Sequence, residues 1–199
     1  MPPWFYAHDP FLVLHRGMQS PWLDLPAALV CTLCEGWALA LLGLVAFGWL
    51  ARERGRALAV FVPFGLALLA SGALVLELKD LFDTPRPLSV YGDQVRIGME
   101  PLFQFGFPSG HSASAWLFAT YANLAYGPRL RWSWALAILG GLSRVYVGAH
   151  WVTDVLGGVA LGALLALVAW SLTRWAAPGG HLAMLWKARH PPRPAAGRR

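Results

Sequence analysis

The sequence predicts an all-α integral membrane protein, a bundle of five transmembrane helices preceded by an N-terminal interfacial segment. Three observations predict it. Of 199 residues, 57% are hydrophobic and only 13% are charged, where soluble domains carry about 25% charged residues. Five apolar stretches approach the ~20 residues that cross a bilayer. There are eleven tryptophans, and Trp22, Trp49, Trp132, Trp134, Trp151 and Trp175 sit near the ends of those stretches, where aromatic belts form.

Residues 1–24 hold aromatics, prolines and the short apolar piece Phe11–Leu14, too short to span and suited to an interfacial helix. The first span runs from Leu25 to Leu50, broken only by Glu35. Cys31 and Cys34 lie within it and read as small apolar helix residues, since no second Cys/His pair with zinc-ligand spacing follows. The second span is Ala57 to Leu78, with Glu77 near its end. The third, Ser112 to Tyr126, and the fourth, Trp132 to Val147, are short and need flanking residues to cross. The fifth is Val152 to Leu172. Its Gly158 and Gly162 have the small-xxx-small spacing of closely packed membrane helices. Residues 1–176 form one domain, and 177–199 form a basic tail. No cleavable signal peptide is visible.

The net charge of +6 reads as topology. The connection holding Arg52, Arg54 and Arg56, the connection holding Arg129 and Arg131, and the tail from Arg174 onward carry eleven of the sixteen basic residues. A five-span chain puts all three on one side, which the excess of lysine and arginine makes cytoplasmic. No nucleic acid is needed to explain the charge. Arg16, Lys79, Arg86, Arg96 and Arg144 fall on the opposite side, and three of them lie in unusual clusters.

The first cluster is KDLFDTPRP, 79–87. Lys79 ends the second span, and Pro85 and Pro87 hold Arg86 in a stiff, non-helical stretch. The second is FPSGHSAS, 107–114. Pro108 and Ser109 suit a helix start, Gly110 permits close backbone approach, and His111 falls in the first turn, where free N–H groups attract anions. The third is SRVYVGAHWVTD, 143–154. His150 and Asp154 are i and i+4 on one helix face. Asp154 can bond one ring nitrogen and leave the other's lone pair free. All three clusters fall on the same side of the membrane. Three permanent cations, backbone donors and two histidines suit a phosphate group. No carboxylate cluster suggests a two-metal site, so metal-independent chemistry without a cofactor is expected.

These residues resemble the type 2 phosphatidic acid phosphatase superfamily. Its signature is K-x6-R-P, then P-S-G-H, then S-R-x5-H-x3-D. Lys79 through Pro87, Pro108 to His111, and Ser143, Arg144, His150 and Asp154 match it in order. The resemblance implies that His150 attacks phosphorus to form a phosphohistidine, oriented by Asp154. His111 would protonate the leaving oxygen and then help activate water. Lys79, Arg86, Ser109, Gly110 and Arg144 would hold the phosphoryl oxygens. Family members usually have six spans, so residues 1–24 stand here in place of a full first one.

The expected activity is hydrolysis of a phosphorylated or diphosphorylated lipid in the inner or plasma membrane, at a site facing the periplasm or outside. Phosphatidic acid, phosphatidylglycerol phosphate, undecaprenyl diphosphate and lipid A phosphates all fit. The alternatives are a phosphotransferase using a prenyl diphosphate donor and a non-catalytic lipid-binding or transport protein. Segment 88–106 lies beside the site, where Asp93, Arg96 and Glu100 could read the head group or serve as solvated loop charges. Asp80 and Asp83 read as local ion-pair partners of the motif cations. Glu35 and Glu77 either pair with a motif cation or line the lipid path. The sequence sets no oligomeric state.

Overall fold

The computed structural model describes residue 6, residues 8–50, 54–96 and 103–176. The tail 177–199, with His181 and His190, lies outside the described residues, as do Arg52 and Glu100. Among the described residues the regular structure is all helical, and the α-helices are α1 (Phe11–Met18), α2 (Pro21–Leu33), α3 (Gly36–Leu50), α4 (Arg54–Phe82), α5 (Pro87–Tyr91), α6 (Gly110–Tyr126), α7 (Trp132–Tyr146) and α8 (Val152–Ala176). Among the described residues, α4 and α8 are the two helices long and apolar enough to cross a membrane, and α2 with α3 makes a third apolar length. Helices α6 and α7, with 17 and 15 residues, reach only about 26 and 23 Å at 1.5 Å per residue.

One element departs from expectation. The apolar run Leu25–Leu50 is not one straight span but two helices meeting at 72°. The break has a local cause. Cys34 N–H is shared between the carbonyls of Val30 and Cys31, Glu35 N–H turns back to Thr32, and the helix restarts with Leu39 N–H on the Glu35 carbonyl. A charged residue followed by Gly36, a poor helix former, sits at that corner. Trp37 Nε1–H donates to the Glu35 carboxylate.

Helix α6 is the centre of the bundle and packs on α3, α4, α7 and α8. Its buried face presents Ala113, Leu117, Phe118 and Tyr121, and an aromatic cluster of Phe47, Phe64, Phe118 and Tyr121 fills the end away from the clusters of polar residues. Tyr121 Oη donates to the Val60 carbonyl at 2.7 Å and lies 2.6 Å from Thr173 Oγ1, so the phenol is satisfied within the bilayer-spanning core. Leucines and valines such as Leu69, Leu76, Leu164 and Leu167 point outward, the arrangement expected where lipid replaces water.

The α6–α8 contact is the tightest in the bundle, and glycine makes it possible. A Cβ at Gly162 would fall 2.1 Å from the Ala113 carbonyl oxygen and 2.9 Å from Leu117 N; one at Gly158 would fall 2.4 Å from the Ser109 oxygen. These are backbone atoms, so only movement of a helix relieves the clash. Gly162→Ala is therefore expected to destabilise the protein by about 3 kcal/mol. Gly72→Ala on α4, with nothing within 4 Å, should be neutral or slightly stabilising. Thermal unfolding of both variants in detergent checks the contrast.

Candidate active site

Helix α7 ends with Ser143, Arg144, Val145 and Tyr146, and the chain then turns sharply. Val147 N–H returns to Ser143 O at 3.0 Å, and the Ala149 and His150 amides both donate to Arg144 O at 3.0 and 3.3 Å. Gly148 makes the turn with φ +75°, and a Cβ there would meet Val95 Cγ1 at 2.7 Å and Arg96 O at 2.9 Å, so only glycine fits. The turn delivers His150 into the interior, almost fully buried. Its Nδ1 lies 3.3 Å from Asp154 Oδ2, which also accepts Trp151 N–H at 3.1 Å. With Nδ1 donating to the carboxylate, Nε2 keeps its lone pair. Nε2 lies 3.3 Å from Arg86 Nη1. Burial, reinforced by the charges of Arg86, Arg144 and Lys79 and by His111, lowers the His150 pKa well below the usual histidine value and holds the ring neutral.

Arg86 is equally buried. Its Nε donates to Gln104 O at 2.8 Å, Nη1 to Ala149 O at 2.7 Å and Nη2 to Phe105 O at 3.1 Å. The prolines on either side keep its own backbone extended, and Arg86 N–H donates to Phe103 O at 2.8 Å. Thr84 completes this strap: its carbonyl accepts Gly106 N–H at 3.0 Å and its hydroxyl accepts Phe107 N–H at 2.7 Å. One guanidinium thus ties the first cluster, the segment 103–107 and the third cluster together.

The second cluster docks on the same place. Ser109 caps α6, its Oγ accepting Ser112 N–H at 3.4 Å and Ser112 Oγ–H at 3.0 Å. Ser109 N–H donates to the Asp154 carbonyl at 3.0 Å, which joins the start of α6 to the start of α8. Arg144 is buried, with Nη1 3.4 Å from Cys31 Sγ. Lys79, Gly110 and His111 are only half-buried and lie on the open side. The structure therefore gathers all eight sequence-predicted site residues at one end of the bundle. Ser109, Arg86, His150 and Asp154 are linked by direct hydrogen bonds, and Lys79, His111 and Arg144 lie close enough to act on His150 electrostatically.

Several contributors were not visible in the sequence. Asp9 Oδ1 accepts Val152 N–H at 3.2 Å, while Oδ2 accepts Thr153 N–H and Thr153 Oγ1–H at 2.9 Å each. An aspartate 143 residues upstream thus caps the helix that carries Asp154. His15, buried on α1, has Nδ1 2.9 Å from Val145 O and accepts Arg96 N–H at Nε2 at 3.0 Å. Both contacts are satisfied by the neutral Nδ1–H tautomer, and burial lowers the His15 pKa in keeping with it. No spacing rule connects residues 9 and 15 to 145–153, which is why only the fold reveals them.

Two readings are corrected by the geometry, and the reading of Arg96 is narrowed. Trp151 is not a belt residue: it is fully buried, donates Nε1–H to Pro85 O at 2.8 Å and stacks on Tyr6 at 4.6 Å between centroids. Its indole N–H finds a backbone carbonyl that an interfacial position would have left to water. Asp80 and Asp83 are exposed and form no ion pair among the described residues; the motif cations turn inward toward the site instead. Arg96 forms a bidentate pair with Asp24 at 2.6 and 2.9 Å and donates to Gln19 at 2.8 Å, so it fastens α2 to the site's outer wall.

Comparison with known proteins places this arrangement. The Aquifex aeolicus LpxE crystal structure superposes with a TM-score of 0.74 at 26% identity, covering 86% of this chain and 99% of that one. A transmembrane PAP2-type phosphatidylglycerolphosphate phosphatase from Bacillus subtilis shares the fold with a TM-score of 0.62 at 24% identity. Among curated relatives, a lipid A 1-phosphatase of Porphyromonas gingivalis is 32% identical over 64% of this chain and 26% of its own length. Phosphatidylglycerophosphatase B of Bacillus subtilis is 42% identical over 37% of this chain and 43% of its own. The chain thus matches less than half the length of each of these curated relatives. The profile of the PAP2 superfamily matches residues 60–178, a stretch that contains every one of the eight gathered residues, and the chain belongs to the PAP2 superfamily.

Proposed function

We propose that this chain is a membrane phosphatase for phosphorylated lipids, working through a phosphohistidine at His150. The observation that carries the reading is the state of that one ring: buried, neutral, held at Nδ1 by Asp154, with Nε2 directed at Arg86. A neutral nitrogen with a fixed tautomer is what a nucleophile requires.

In the first step His150 Nε2 bonds to phosphorus and the P–O bond to the lipid breaks, with His111 delivering a proton to the departing oxygen. Arg86, Arg144, Lys79 and the backbone at Ser109 and Gly110 stabilise charge on the three transferred oxygens. In the second step His111 accepts a proton from water as its oxygen attacks phosphorus. The N–P bond breaks, inorganic phosphate leaves, and His150 returns to its neutral form. The distribution of basic residues supports a site on the extracytoplasmic side, because Arg129, Arg131 and Arg174 lie at the opposite ends of α6, α7 and α8.

The test is release of inorganic phosphate by the purified protein from a panel of phosphorylated lipids, with and without a lipid acceptor. Phosphate release independent of acceptor is expected; release only when an acceptor is present would make the chain a phosphotransferase. The depressed His150 pKa adds a pH prediction. Its nucleophilic form persists as pH falls through 6.5, so the acid limb of kcat/KM assigned to His150 should lie below the usual histidine range. An acid limb at 6.5 or above, after allowance for the substrate's own ionisation, would contradict it.

A further inference from the structure

The corner between α2 and α3 forms an open-sided pocket of about 220 Å³, lined by residues 34–37 on one side and by Gly110, His111 and Ser114 on the other. At ~30 Å³ per water this is room for about seven waters, the scale of a single sugar ring or a glycerol. His111 is shared between this cavity and the phosphate site. The break that disrupts the apolar run of Leu25–Leu50 is therefore what brings Glu35 opposite His111.

The polar groups of the cavity differ in sign from those of the phosphate site. Three cations, Lys79, Arg86 and Arg144, surround His150. Across His111 from them stands a single carboxylate, Glu35, which receives Trp37 Nε1–H and retains further acceptor positions. Ser114, one turn beyond His111 on α6, adds a hydroxyl that lies near Gly36. A carboxylate in such a recess accepts hydrogen bonds from hydroxyl and amide donors and repels phosphate.

We propose that this cavity is the leaving-group subsite and that Glu35 makes it selective for uncharged, hydroxyl-bearing alcohols. The preferred substrates are then phosphomonoesters of a lipid-linked sugar or polyol. Prenyl diphosphates, whose leaving group is itself an anionic phosphate, are disfavoured. This inference rests on the phosphatase reading above, in which His111 protonates the leaving oxygen.

The experiment compares kcat/KM for 2,3-diacylglucosamine 1-phosphate and farnesyl diphosphate in mixed micelles, using the full chain and the variants Glu35→Gln, Glu35→Lys and Ser114→Leu. The unaltered protein should favour the sugar phosphate at least tenfold. Glu35→Lys should lower that ratio by at least another factor of ten, with Glu35→Gln between. Ser114→Leu, which fills the cavity without changing its charge, should lower kcat/KM for the sugar phosphate at least fivefold relative to the diphosphate. Should Glu35→Lys not fold, as read from size-exclusion chromatography, Glu35→Gln and Ser114→Leu carry the test. A preference for the diphosphate, or a ratio that the folded variants leave within twofold, overturns the subsite while leaving the phosphatase reading intact. Phosphate release from neither substrate overturns both.

Discussion

Replacing His150 with alanine should lower phosphate release from a lipid phosphate by about 10⁴-fold or more, while the lipid still binds. The magnitude follows from removing the nucleophile, which no neighbour can replace. The site's other histidine, His111, is half-buried, and among the described residues no carboxylate bonds to its ring in the way Asp154 bonds to His150. Binding should survive because, in the proposed reading, Arg86, Arg144, Lys79 and backbone amides would hold the phosphate, and none of them needs the imidazole. Steady-state turnover with direct measurement of lipid binding separates the two effects. Lost turnover with retained binding is the expected pattern, and retained turnover would remove His150 from the chemistry. His111→Ala should fall less steeply, by about 10²–10⁴-fold, the usual contribution of a general acid.

Arg86→Lys should be damaging to a smaller but still large degree, through lost hydrogen bonding with the charge kept. The guanidinium donates to three carbonyls, at Gln104, Ala149 and Phe105. A lysine ammonium is a point donor on a flexible stem and cannot reach all three in one plane. Hydrogen bonds from a charged donor contribute roughly 1.5–3 kcal/mol each, so losing even one weakens the strap. One of those carbonyls belongs to Phe105, which sits at φ +59°. That backbone state costs an ordinary residue about 1–2 kcal/mol and needs an external hold. Arg86→Lys should therefore reduce kcat/KM by about 10²–10³-fold and lower the unfolding temperature measurably, although the charge is conserved. Wild-type kcat/KM in this variant would mean that charge alone matters there.

The site and the fold were legible to different degrees, for physical reasons. The spans of α4 and α8 could be read because a membrane helix is defined locally, by continuous apolar length, and α7 could be read as a helix from Trp132 onward. The start of α6 could be read because Pro108, Ser109 and the following small residues are local helix-start chemistry, and Ser109 does cap it. The three clusters could be assembled because alternating spans bring them to one side. The corner in Leu25–Leu50 was obscured, since apolar content continues through it, and Glu35 with Gly36 was its only trace. The bracing by Asp9 and His15 was not legible at all. Their partners at the end of α7 and the start of α8 lie 130 and more residues away, and nothing local distinguishes these side chains from solvated ones. Trp151 shows the same limit: its position near a span end fits an aromatic belt, but the turn at Gly148 swings it inward against Pro85.

The most direct test of the central claim, that three distant segments build one phosphate site around a nucleophilic His150, is to trap the phosphorylated protein. The full chain would be mixed with a lipid carrying ³²P in its terminal phosphate, quenched in alkali within milliseconds and digested. Label on the single peptide containing His150, absent from His150→Ala, is the expected result. Label on a peptide containing His111 instead, or steady turnover with no labelled peptide at any quench time, would contradict the account.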